Sequence, residues 1–201
     1  MNIDHQDLLN DETLLLSKAA NAVIKINTHE LKHLPYDQLM SLVDFKNKEA
    51  IGGMLYLTNY RLLFKSHTFN RVTGKFSIFL PTVQSVRDTS QLLTKKIEVA
   101  TQTQTLEFVV WGIPSLIQAI KSAADALTEQ QKANIKKCMM TDYAKIGDGL
   151  NSSKIMNKIA LNMIDVINPL IEIIQDPINL SSVLNLLELW EILGKEEDKY
   201  H

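Results

Sequence analysis

The sequence predicts an α+β fold: an antiparallel β-sandwich or partly open barrel, capped by one helix and followed by an α-helical C-terminal extension. Three observations carry this reading. Gly52 to His67 holds two β-favouring apolar runs, Met54 to Leu57 and Tyr60 to Lys65, around a Thr58-Asn59 pair. Asparagine tolerates positive φ, so a tight hairpin turn is expected there. Short strand patterns then recur at close spacing as far as Val110. At Trp111-Gly112-Ile113-Pro114 the apolar period changes from that of a strand to that of a helix.

Taken in order, residues 1–11 read as a polar, acidic lead-in. Val23-Ile24-Lys25-Ile26 is strand-like, whereas Leu14 to Ala20 fits either a strand or a helical turn. Asn27 to Lys48 is a long connection with a short helix expected after Pro35. Phe76 to Leu80 is a strand ended by Pro81, and Val83 and Val86 follow as core candidates. Lys96 to Thr101 alternates polar with apolar residues, as a strand with one wet face does, and Thr105 to Trp111 pairs with it across Gln102-Thr103-Gln104. Leu116, Ile117, Ile120, Ala124 and Leu127 fall at helical spacing behind Pro114, a residue that helices accept in their first turn.

A further helix is predicted from Lys132 to Ile146, then a linker at Gly147-Asp148-Gly149 and Asn151-Ser152-Ser153. Met156 to Ile174 carries an apolar face too broad to leave in water, kinked at Asn168-Pro169. Val183, Leu186, Leu187, Trp190 and Leu193 form a last amphipathic helix, closed by Gly194. The expected organisation is a lead-in at 1–11, a sheet domain at 12–127 and a helical extension at 128–201.

A chain of 201 residues, 45% hydrophobic and 22% charged, can bury a real core. Its net charge of -2 argues against a general nucleic-acid binder, whose affinity rests on neutralising phosphates. The charge is uneven. Residues 51–127 carry eight basic and four acidic residues, whereas from Leu150 onward four lysines face eight acids. The single Cys138 excludes an intrachain disulfide and fits a reducing compartment. Neither a signal peptide nor a bilayer-spanning apolar run is present, so a cytoplasmic protein is expected.

One run carries a family resemblance. Gly53-x-Leu55-Tyr56-Leu57-Thr58-Asn59-x-Arg61-Leu62-Leu63-Phe64-x-Ser66-His67-x-Phe69-Asn70 resembles the GRAM domain in its short bacterial-type form. Glu12 and Ala20-Asn21 upstream support it, as do Leu80-Pro81 before Val83 and Val86, and Phe108-Val109-Val110 before Trp111. The similarity runs from Glu12 to Leu127. Two stretches depart from it: the long 27–48 connection, and Leu93-Thr94-Lys95-Lys96 where related bacterial sequences tend to have an Ile-Pro-Asn-like stretch. The resemblance implies a pleckstrin-homology-like fold and a non-catalytic module that engages membrane lipids, often phosphoinositides, or proteins.

The expected function is a non-enzymatic GRAM-domain adaptor with weak binding of anionic phospholipid headgroups by basic loops, peripheral to a membrane. An anionic headgroup needs convergent cations. The candidates are Arg61, Lys65, Arg71 and Lys75 on or just after the hairpin, with Lys95 and Lys96 further on. The bland reading of the same residues is a solvated basic face, and Arg61 could simply pair with a carboxylate. The alternative function is a protein-interaction or homodimer module acting through the C-terminal helices, with Ile159, Met163, Val166, Leu170, Leu187 and Trp190 on the interacting face. His29, His33 and Asp37 have metal-like spacing, but Pro35 disfavours one continuous helix through them. With no phosphate loop, nucleophile elbow or paired-carboxylate pattern, no catalytic residue, metal or cofactor is expected.

Overall fold

The computed structural model describes residues 3–25, 48–70, 73–146 and 177–194. Their seven strands form one antiparallel sheet in the order β4-β3-β2-β1-β7-β6-β5. The strands are β1 (Leu14–Lys25), β2 (Lys48–Thr58), β3 (Arg61–Ser66), β4 (Lys75–Phe79), β5 (Ser85–Asp88), β6 (Lys96–Ala100) and β7 (Thr105–Val110). The long β1 pairs with both β2 and β7, and so joins the first four strands to the last three. After β7 come α1 (Ile113–Asp125), α2 (Glu129–Thr141), α3 (Tyr143–Ile146) and α4 (Pro177–Gly194). A seven-stranded antiparallel meander closed by a following helix is the pleckstrin-homology-like α+β arrangement that the sequence predicts.

The ambiguous stretch Leu14 to Ala20 is strand, because it pairs along its length with β2 and continues into Ala20–Val23, which β7 joins on the other side. The helix expected after Pro35, the linker at 147–153 and the apolar stripe from Met156 to Ile174 lie outside the described residues. The hairpin forms where predicted, with Leu57 opposite Leu62. Its turn is closed differently from the expected positive φ at Asn59. Among the described non-glycine residues only Asp11 has positive φ. Thr58 Oγ1 instead accepts the backbone N–H groups of Tyr60 (3.1 Å) and Arg61 (2.9 Å), the local side-chain closure that threonine offers a turn. Asn59 reaches back to the chain's beginning, accepting from Thr13 N at 2.8 Å and donating to the Asp11 carbonyl at 3.2 Å.

Strand alternation sends Leu55, Leu57, Leu62 and Phe64 into a core closed by Ile113, Leu116 and Ile120 of α1. Phe64, Phe76 and Phe108 meet at its centre with ring centroids 5.4–6.1 Å apart. Gly53 is required beside this cluster. A Cβ there would stand 2.4 Å from the Lys65 carbonyl and 2.6 Å from Phe64 Cζ, and backbone cannot yield that far.

A second core lies on the opposite face of β3 and β4. All five residues of β4 are buried, which a strand with one wet face never shows. Tyr60 and Phe79 pack there with Leu9, Ile135 and Met139 of α2, Ile146 of α3, and Leu186 and Leu189 of α4. Asp7, Leu9 and Glu12 are buried, so the start of the chain is laid on the sheet as a packed strap.

Candidate functional site

Strand alternation puts Arg61, Leu63 and Lys65 on the outer face, opposite Phe79, Ser77 and Lys75 of β4. The second core covers that face, and a buried charge there has to be paired. Arg61 is fully buried and spends every N–H of its guanidinium inside the protein. Nε and Nη2 grip the Glu12 carboxylate at 2.8 and 3.0 Å, and Nη2 also donates to the Asp7 carbonyl at 2.7 Å. Nη1 donates to Ser77 Oγ at 2.8 Å and to the Lys145 carbonyl at 3.3 Å. Glu12 in turn accepts from Leu9 N and lies 2.7 Å from Thr58 Oγ1. Four segments are thus tied at one arginine: the stretch before β1, the hairpin, α3 and β4, which contributes both Ser77 and the Phe79 ring, whose centroid lies 5.7 Å from Cζ.

Lys65 and Lys75 stand directly opposite each other on adjacent strands, a like-charge pair that would repel. Asp7 resolves the conflict by accepting from Lys65 Nζ at 2.6 Å and from Lys75 Nζ at 2.9 Å. Burial raises the Asp7 pKa, but the hydrogen bonds and charges of the two lysines outweigh it and hold the carboxyl below its ordinary 3.8. The Asp7 hydrogen bond, offset in part by burial, raises Lys65 above its ordinary 10.5.

The signs of the pH dependence follow. Stability from Asp7 is present in full above pH 3.8 and is lost as the pH falls below that value through the depressed folded pKa. Stability from Lys65 is present in full below pH 10.5 and is lost as the pH rises through its elevated folded pKa. Asp7→Asn is therefore expected to lower the urea midpoint at neutral pH and to flatten its fall in acid. Parallel midpoint curves for the two proteins would refute the assignment.

Of the six headgroup candidates, Arg61, Lys65 and Lys75 meet at Asp7, and Lys95 and Lys96 stand apart from them beyond β7. Arg61 and Lys75 are buried and so lie on no solvated face; Arg61 pairs with a carboxylate, the alternative weighed for it, and Glu12 and Asp7 neutralise the two cations under the second core. Lys65 is partly exposed and engaged by Asp7, and Lys96 is bonded to Glu107 at 3.0 Å. Lys95 is exposed on the far strand pair, and Arg71 lies outside the described residues. Ile159, Met163, Val166 and Leu170 also lie outside them. Leu187 is buried within the chain's own second core and Trp190 packs at its margin, so α4 spends this face in cis. The metal-spaced His29, His33 and Asp37 are outside the described residues as well.

The unspent chemistry is apolar. Leu92 and Leu93, 98% and 95% exposed, form the tip of the β5–β6 hairpin. Two backbone bonds close it, Gln91 N to Thr94 O at 2.9 Å and Thr94 N to Gln91 O at 3.2 Å. Val110 N donates to the Lys95 carbonyl at 3.0 Å, which brings Trp111, 76% exposed, to the same end of the sheet. The sequence marks Leu93 only as part of a departure from the family pattern and does not single out this pair. Its available signal was an apolar doublet between strands, in a segment with no alternation to bury it.

A search against protein-family models matches the GRAM domain over residues 26–115. Among solved structures, similar chains include the C-terminal domain of an unknown protein from Leishmania infantum, at 18% identity and a TM-score of 0.40 over 57% of this chain and 86% of that one. The Vps36 N-terminal PH domain is similar at 13% identity and a TM-score of 0.39, over 59% of this chain and 83% of that one. A search of curated proteins finds no match. Strand β1 and most of α1 fall outside the matched range, yet they complete the same sheet and its closing helix. With the hairpin motif, the sheet order and this match together, the chain carries a GRAM domain of pleckstrin-homology-like fold.

Proposed function

We propose that the protein is a non-enzymatic adaptor whose GRAM domain holds it at a membrane surface. GRAM domains are commonly lipid- or protein-binding modules, and one observation favours lipid here. Three large apolar side chains, Leu92, Leu93 and Trp111, stand in water at one end of the sheet on two adjoining segments. Clustered exposed apolar residues mark interaction sites, whereas scattered ones do not. No helix among the described residues is long and apolar enough to cross a membrane, so contact through them is peripheral. Exposed Lys95 beside the tip adds attraction to anionic lipid, worth on the order of 1 kcal/mol for a cation near such a surface.

Co-sedimentation of the full chain with phosphatidylcholine vesicles, with and without phosphatidylserine, tests the proposal. Recruitment to vesicles is expected, and recovery of all the protein in the supernatant with both compositions would refute it.

A further inference from the structure

We infer that the protein docks by inserting the Leu92-Leu93 hairpin tip, with Trp111 beside it, into the apolar edge of the bilayer, so that it recognises acyl chains rather than a particular phosphorylated headgroup. The inference rests on the membrane reading above and specifies its site and chemistry.

The tip is a built feature. Beyond the paired bonds between Gln91 and Thr94, Thr89 N donates to the Lys96 carbonyl at 2.9 Å. Lys96 N donates to Ser90 Oγ at 3.1 Å, and Ser90 N to Asp88 Oδ1 at 2.9 Å. The loop's backbone is therefore held before any partner arrives, so little backbone entropy is left to lose on docking. A convex tip of two leucines cannot grip a ligand in a pocket. It can enter a medium that accepts apolar groups from any direction, as a bilayer does. Trp111 suits the adjoining depth, since tryptophan prefers the membrane–water interface.

The charges beside the tip point the same way. Lys96 is committed to Glu107, and the exposed Lys95 stands near Asp88, whose carboxyl is held below its ordinary pKa by the Ser90 hydrogen bonds and then by Lys95. The Lys18 ammonium lies over Gly112, one residue past Trp111. These cations are spread around the rim instead of converging, as a phosphate cradle requires. They suit the diffuse charge of an anionic membrane. Phe69 is fully exposed at the β3–β4 connection, but among the described residues of that loop it stands without a second large apolar side chain. A single exposed apolar residue is ordinary.

The test uses the full chain and its Leu92→Ser/Leu93→Ser variant. Both leucines are almost wholly exposed, so unfolding by urea should be unchanged. The vesicle partition coefficient should fall at least tenfold, on neutral and anionic vesicles alike. The wild type should retain most of its binding in high salt. In a Trp190→Phe background, Trp111 is the one remaining tryptophan, and its emission should shift to the blue on vesicles and stay unshifted in the serine variant.

Binding confined to anionic vesicles, abolished by salt and indifferent to the serines, would overturn the insertion mode while leaving membrane recruitment standing. Absence of binding to every vesicle would overturn both. A drop in molar mass by light scattering for the serine variant would overturn it in favour of contact between copies.

Discussion

Replacing Arg61 by alanine is expected to cost about 3–5 kcal/mol of stability, the scale for removing one member of a buried ion pair. The loss comes less from the bonds removed than from what they leave behind. Glu12 would remain desolvated without its cation, and the carbonyls of Asp7 and Lys145 and the Ser77 hydroxyl would each lose a donor. Glu12→Ala should cost a similar amount by stranding the guanidinium instead. The two effects share one interaction, so the double variant Glu12→Leu/Arg61→Met should cost well under the sum of the single substitutions. Urea unfolding of the four proteins measures all three quantities. Additive losses would show that the arginine and the carboxylate act separately, against the geometry. Arg61→Lys would not restore the site, since one ammonium cannot span Glu12, Ser77 and two carbonyls together.

This arginine also shows where sequence reasoning stopped. The fold was legible because its signals are local: the Thr58-Asn59 turn between apolar runs, the strict alternation in Lys96 to Ala100, and the change of period at Gly112. A side chain's surroundings are not local. Arg61 lies 49 residues from Glu12, and Lys65 and Lys75 lie 58 and 68 residues from Asp7. Both acids sit in or beside a stretch whose composition suggests a solvated lead-in. Strand alternation puts Arg61 and Lys65 on the outer face of β3. It carried no information about what covers that face, beyond one hint: Leu63 points the same way and is wholly buried. The Leu92-Leu93 tip is a different case, since an apolar doublet between strands carries no sequence mark of whether it is covered. Its exposure follows from a two-residue turn that points both side chains away from the sheet.

The second large effect is expected at Glu188, where α4 is held to the sheet. Phe79 lies on β4, the edge strand of the sheet among the described residues, and Asn185 takes the place of a neighbouring strand: its Oδ1 accepts Phe79 N at 2.7 Å. Asn185 Nδ2 donates to Thr82 Oγ1 at 2.6 Å and to Glu188 Oε2 at 3.1 Å. Glu188 Oε1 accepts from Thr101 Oγ1 at 2.6 Å and from the backbone N–H of Thr103, and so fastens the helix to the β6–β7 turn. Ser181, Asn185 and Glu188 recur at spacings of four and three, a polar stripe buried alongside the apolar one of Leu186, Leu189 and Leu193. Glu188→Ala takes the acceptor from the Thr101 and Thr103 hydroxyls, a backbone N–H and an amide proton, each costing about 1–3 kcal/mol if it stays buried. The chain can avoid that full cost by letting α4 lift and water enter. The expected result is therefore a loss of hydrogen-exchange protection concentrated in residues 177–194, with the amides of β2, β3, β6 and β7 retaining theirs. Arg61→Ala should instead lower protection throughout, because its contacts bind the strap to the hairpin itself. Glu188→Gln keeps an acceptor oxygen for Thr101 and should preserve much of the helix's protection. Equal loss across the sheet and α4 in Glu188→Ala would mean that the helix and the sheet open only as one unit, and that α4 is an inseparable wall of the fold.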